Sequence, residues 1–144
     1  MVEDDLDDQD FLISAIRTTR TTNKILTFGD PVSALSYLIS ADVPPFLIFS
    51  DINLPNMNGL DFRRSISDHP KLRNELTPFV FFSTSGEANI VNETFKLSIQ
   101  GYFVKCNTFS KLVTYVETVI NNWKISEQSA GKTSTQVVAD NRVA

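Results

Sequence analysis

Three short, unbroken apolar runs constrain this chain most: Phe46 to Ser50 (FLIFS), Phe79 to Ser83 (FVFFS) and Tyr102 to Val104 (YFV). None alternates polar with apolar residues. Each therefore reads as a strand buried on both faces, as in a parallel sheet covered by helices. Lys24 to Phe28 (KILTF) is a shorter candidate strand. Helical patterns fill the intervals. Phe11, Leu12, Ala15 and Ile16 form one apolar stripe. Asp30 suits an N-cap and Pro31 a first helical turn, opening a second helix towards Ile39. Gly59 to Ile66 is a third, ending before His69 and Pro70, and Ala88 to Leu97 a fourth, closed by Gly101. Leu112, Val116, Val119, Ile120 and Trp123 mark a fifth, amphipathic one. Helices alternating with strands predict a doubly wound α/β domain.

The length of 144 residues matches one ordinary domain and leaves no room for a second, such as a DNA-binding output module. From Ser126 the composition turns polar and small, so residues 124–144 read as a flexible tail behind a domain at 2–123. The net charge is −4, and six of the 17 acids lie within the first ten residues. No basic block follows, so nucleic acid is not an expected partner. One cysteine and one histidine exclude an internal disulfide and a Cys- or His-rich metal site. No apolar run reaches the ~20 residues of a membrane span. The acidic start is unlike a signal peptide, so a cytoplasmic location is expected.

Ligands of doubly wound sheets sit beyond the carboxyl ends of the strands. Asp51 follows FLIFS, Ser83 closes FVFFS and precedes Thr84 and Ser85, and Lys105 follows YFV. Glu3, Asp4 and Asp5 precede the first helix. Carboxylates, a hydroxyl and an ammonium group thus converge on one edge. Carboxylates without His or Cys select a hard cation such as Mg²⁺. A carboxylate beside that cation, with a lysine and a hydroxyl for phosphoryl oxygens, can accept a phosphoryl group.

Four segments carry a resemblance: Val2-Glu3-Asp4-Asp5; Asp51-Ile52-Asn53-Leu54-Pro55-Asn56-Met57-Asn58-Gly59; Ser83-Thr84-Ser85; and Gly101-Tyr102-Phe103-Val104-Lys105. In order and spacing they resemble the receiver domain of two-component response regulators, of the stand-alone, chemotaxis type. The resemblance implies a flavodoxin-like sheet of five parallel strands in order 2-1-3-4-5. It implies a phosphoacceptor switch supplied by a histidine kinase or phosphotransfer protein. Such a domain catalyses only its own phosphorylation and dephosphorylation and is not otherwise an enzyme. Asp51 would accept the phosphoryl group. Asp4, Asp51 and the Asn53 carbonyl would ligate Mg²⁺, with Glu3 acting through water. Ser83 and Lys105 would hold phosphoryl oxygens, and Tyr102 would turn inward when Ser83 moves. Asp5, Asp7, Asp8 and Asp10 read as helix-start acids. With no output domain, the switch would act through an unidentified downstream protein at helix 4, strand 5 and helix 5. A second copy of the chain is another candidate partner.

Two departures stand out. Receivers carry about five apolar residues before the acidic pair, and here only Met1 and Val2 do so. The central first strand is thus largely missing. Either the chain starts late, or another segment, such as Thr135 to Ala139 (TQVVA), fills the slot. Cys106 stands where the family has proline, often after a cis bond. That predicts a trans bond with a reshaped loop or a strained cis bond, and leaves open a redox role for the thiol. Two alternatives remain: a pseudo-receiver acting only as an interaction module, and a phosphatase of the haloacid dehalogenase type. The phosphatase would need a second Asp as general acid where Asn53 stands.

Overall fold

The computed structural model describes residues 1–105 and 107–129. In chain order the elements are α1 (Leu6–Thr18), α2 (Pro31–Ser40), β1 (Ile48–Ser50), α3 (Gly59–Asp68), β2 (Phe79–Ser83), α4 (Ala88–Phe95), β3 (Gly101–Val104) and α5 (Phe109–Ser129). β1, β2 and β3 pair in that order, all parallel.

β1 and β2 bury both faces; β3, at the edge of the sheet, is only partly buried and leaves Val104 exposed, which corrects the expectation that Tyr102 to Val104 is covered on both faces. On β1 and β2, Ile48, Phe79 and Phe81 point to one side, with Ala34 and Leu38 of α2 and Phe62 and Ile66 of α3. Phe49, Val80 and Phe82 point to the other, with Leu12, Ala15 and Ile16 of α1 and Leu112, Val116 and Ile120 of α5. The unbroken apolar runs follow from this geometry: alternate side chains enter two different cores. The helix starts are encoded locally. Asp5 caps α1 by accepting from the amides of Asp7 and Asp8, Asp30 caps α2 ahead of Pro31, and Asn58 caps α3.

The central slot is occupied, but only by Met1–Glu3. Val2 bridges Phe28 on one side and Ser50 of β1 on the other, both in parallel. The Val2 amide donates to the Phe49 carbonyl at 2.8 Å, the Glu3 amide to Phe28 at 2.9 Å, and the Asp51 amide to Val2 at 3.0 Å. The order Phe28–Val2–β1–β2–β3 is the expected 2-1-3-4-5, with its first two members reduced to single bridges. This corrects the expected strand at Lys24 to Phe28, of which only Phe28 bridges. A strand needs a neighbour along its length, and here Met1–Glu3 reach only its upper end. Below them a cavity of about 40 Å³ opens on each face of the sheet. Leu26, Phe28 and Leu38 line one and Ile16, Ile25 and Phe49 the other, with Met1 and Leu47 shared.

Two boundaries also move. α4 ends at Phe95, so Gly101 does not close it but opens β3, level with Val80. A Cβ on Gly101 would meet the Tyr115 hydroxyl, so any other residue here needs the Tyr115 side chain to shift. α5 runs to Ser129, so the first six residues of the segment expected to be a tail are helical. Thr135 to Ala139 and Cys106 lie outside the described residues. No described helix is long and apolar enough to cross a membrane.

Candidate functional site

The carboxyl ends of the strands bring the expected groups together. Asp51 directly follows β1, where Ser50 is level with Phe81. Its carboxylate is buried: Oδ1 accepts from the Ile52 amide at 2.6 Å and, weakly, from that of Asn53 at 3.4 Å. The following loop turns sharply through Asn56, at φ 65°, before α3 begins at Gly59. Gly59 lies hard against this loop. A Cβ there would meet the Asp51 carbonyl, Ile52 Cα at 2.8 Å and the Phe81 ring at 2.9 Å. The glycine of the DINLPNMNG segment therefore lets α3 close on the backbone that aims Asp51.

Glu3 is buried beside Asp51, held by the Val2 bridges, and its Oε1 accepts from the Asp5 amide at 3.1 Å. Asp4 is exposed. Carboxylate oxygens of Glu3, Asp4 and Asp51 all lie within 4.8 Å of one another. Three oxygen donors without nitrogen or sulfur fit a hard divalent cation. Glu3 is pushed above the ordinary carboxylate range, chiefly by burial, although its bond to Lys105 pulls the other way.

Lys105, just past β3, reaches back across the sheet. Its ammonium donates to Glu3 Oε2 at 2.6 Å, Asp8 Oδ2 at 2.7 Å and Asp51 Oδ2 at 3.1 Å. It also lies 5.2 Å from the centre of the Phe82 ring. Burial opposes its charge, but the bonds to Asp8 and Glu3 and the charge of Asp51 outweigh burial. Lys105 is therefore held above its ordinary value. Asp8 was expected to be only a helix-start acid. It is also a partner of Lys105, and nothing in the local sequence distinguishes it from its neighbour Asp7.

Ser83 is fully buried at the end of β2. Its carbonyl accepts from the Lys105 amide at 2.7 Å, and its hydroxyl lies 3.4 Å from the Ser85 amide. Tyr102, on β3, is partly buried against Phe81, ring centres 6.2 Å apart, and donates its hydroxyl to the Ser85 carbonyl. Burial raises its pKa.

The chain is similar to known proteins. Response regulator Rcp1 of Synechocystis is 23% identical over 128 residues, 85% of this chain and 86% of its own length. A probable chemotaxis protein CheY of Rhizobium etli is 23% identical over 124 residues, 86% of this chain and 93% of its own. The crystal structure of the phosphorylated cyanobacterial phytochrome response regulator RcpA superposes with a TM-score of 0.75 at 25% identity, covering 87% of this chain and 91% of that one. The family described as the response regulator receiver domain matches residues 1–117. With that match spanning most of the chain and the same sheet order beneath the acidic edge, the chain belongs to the response regulator receiver domain family of two-component signalling.

Proposed function

We propose that the chain is a phosphoacceptor switch in which Asp51 takes a phosphoryl group from a histidine kinase or phosphotransfer protein. The observation that carries this is the ammonium of Lys105 at 3.1 Å from a buried Asp51 carboxylate, itself grouped with Glu3 and Asp4. An Asp51 oxygen attacks phosphorus, the donor's P–N bond breaks, and its electron pair stays on the histidine nitrogen. Asp4, Asp51 and the Asn53 carbonyl, with Glu3 through water, would hold Mg²⁺, which would supply charge neutralisation for the transferring oxygens. Lys105 and Ser83 take phosphoryl oxygens by charge-assisted hydrogen bonds. Ser83 leaving its resting place makes room for Tyr102 to turn further inward.

The readout face is that of α4, β3 and α5. Phe95, Val104 and Phe109 are exposed there at 53%, 44% and 37%, a supply of apolar surface for a downstream protein. Acetyl phosphate with Mg²⁺ tests the reading. Wild type should take label and Asp51→Asn should not. Equal labelling of both would remove Asp51, absence of label would favour an interaction module, and steady release of phosphate from phosphomonoesters would favour a phosphatase. Ser83→Ala should still be labelled but lose the amide NMR shifts around Tyr102. Unchanged shifts would break the Ser83–Tyr102 coupling.

A further inference from the structure

The proposed phosphoryl chemistry gives Asp8 no task, yet Asp8 holds Lys105 at 2.7 Å, closer than Asp51 does at 3.1 Å. The contact joins the first turn of α1 to a residue 97 positions away. It is not needed to cap α1, because Asp5 already accepts from the amides of Asp7 and Asp8. Nor does Lys105 need it for a counter-charge, since buried Glu3 and Asp51 both lie against it.

An ammonium has three donors. At rest all three are committed, to Glu3, Asp8 and Asp51. A phosphoryl group on Asp51 adds negative charge and new acceptor oxygens. Lys105 can meet more than one of them only by releasing a carboxylate. The Glu3 side chain is 4% exposed, and stripping a buried carboxylate of its partner is costly. The Asp8 side chain is 37% exposed, so water can replace the ammonium there. Asp8 is the contact that yields.

We propose that Asp8 is a positioning residue acting through Lys105: it draws the ammonium towards α1 at rest, competes with the phosphoryl group for it, and so disfavours the phosphorylated state. This rests on the reading of Asp51 as phosphoacceptor. The test is a titration of the full chain with beryllofluoride, which caps a carboxylate as a phosphoryl group does, at saturating Mg²⁺, followed by ¹⁹F NMR. Asp8→Ala should bind about two- to fivefold more tightly, the range a partly exposed ion pair supports. Asp8→Asn keeps an acceptor for Lys105 without the charge and should fall between Asp8→Ala and wild type. Asp7→Asn makes the same charge change in the same turn, away from the three partners of Lys105, and should match wild type. Melting temperatures are recorded alongside, because a variant that merely loosened α1 would bind more weakly. Unchanged or weaker binding by Asp8→Ala, or equal tightening by Asp7→Asn, overturns the proposal while the phosphoacceptor reading stands. If wild type binds no beryllofluoride, that reading falls and takes this one with it.

Discussion

Replacing Lys105 with methionine keeps the length of the side chain but removes the one cation the carboxylates share. Glu3 and Asp51 are buried, with side chains 4% and 8% exposed, and both lose a direct partner. Breaking a buried ion pair costs about 3–5 kcal/mol, and the partly exposed Asp8 contact adds at most about 1 kcal/mol. The loss should depend on pH. Burial already makes Glu3 hold its proton to higher pH than in the unfolded chain, against the pull of Lys105. Removing that pull raises Glu3 further. The native state then binds more protons than the unfolded state, so stability falls as pH rises through that range. Each unit of pH across it is worth up to about 1.4 kcal/mol. Urea unfolding of wild type and Lys105→Met at about pH 7.5 and about pH 5.5 measures this. The variant should lose about 3–5 kcal/mol at the higher pH and recover up to about 2.7 kcal/mol of it at the lower. Mg²⁺ should also restore part of it, by substituting one cation for another. An equal loss at both pH values, or no loss, would refute the claim that Lys105 favours the charged form of Glu3.

Gly59→Ala should cost about 1–3 kcal/mol by overpacking, because the new methyl meets the Asp51 carbonyl, Ile52 and Phe81. An unchanged urea midpoint would mean that α3 moves aside freely. An apolar pentapeptide placed before Met1 should enter the gap between Leu26 and Leu47 and raise the melting temperature, with ~5–10 kcal/mol of transfer energy available as an upper bound. It should also abolish a pH dependence. Burial pushes the Met1 amino group down to about 5. For a chain starting at Met1, the unfolded state therefore binds more protons between about pH 5 and about pH 8, and stability rises with pH across that window. The same slope with and without the pentapeptide would place the amino group in solvent.

Much of the candidate site was legible because strand ends are local features. Asp51, Ser83 and Lys105 each close an apolar run, and a parallel sheet brings such ends to one edge. The helix cap at Asp30 was equally open to reading, since a cap is a contact within three residues. Lys24 to Phe28 misled. Its composition is that of a strand, but strand formation depends on a neighbour, and no local pattern reports how far Met1–Glu3 extend beside it. The end of α4 misled for a similar reason. Gly101 opens β3 and lies against the Tyr115 hydroxyl of α5, and does not end the helix before it.

The sequence by itself determined the fold class, the five helices, the three paired strands and the residue types at the acidic edge. These depend on apolar runs, caps and turn residues whose physics acts over a few positions. Only the tertiary structure decided that Met1–Glu3 occupy the centre of the sheet, that Gly59 presses on the backbone of Asp51, and that Lys105 divides its ammonium among Glu3, Asp8 and Asp51. The physical reason is range. Lys105 and Asp8 are 97 residues apart, and whether an ammonium meets one carboxylate or another depends on where packed helices and strands leave its three donors pointing.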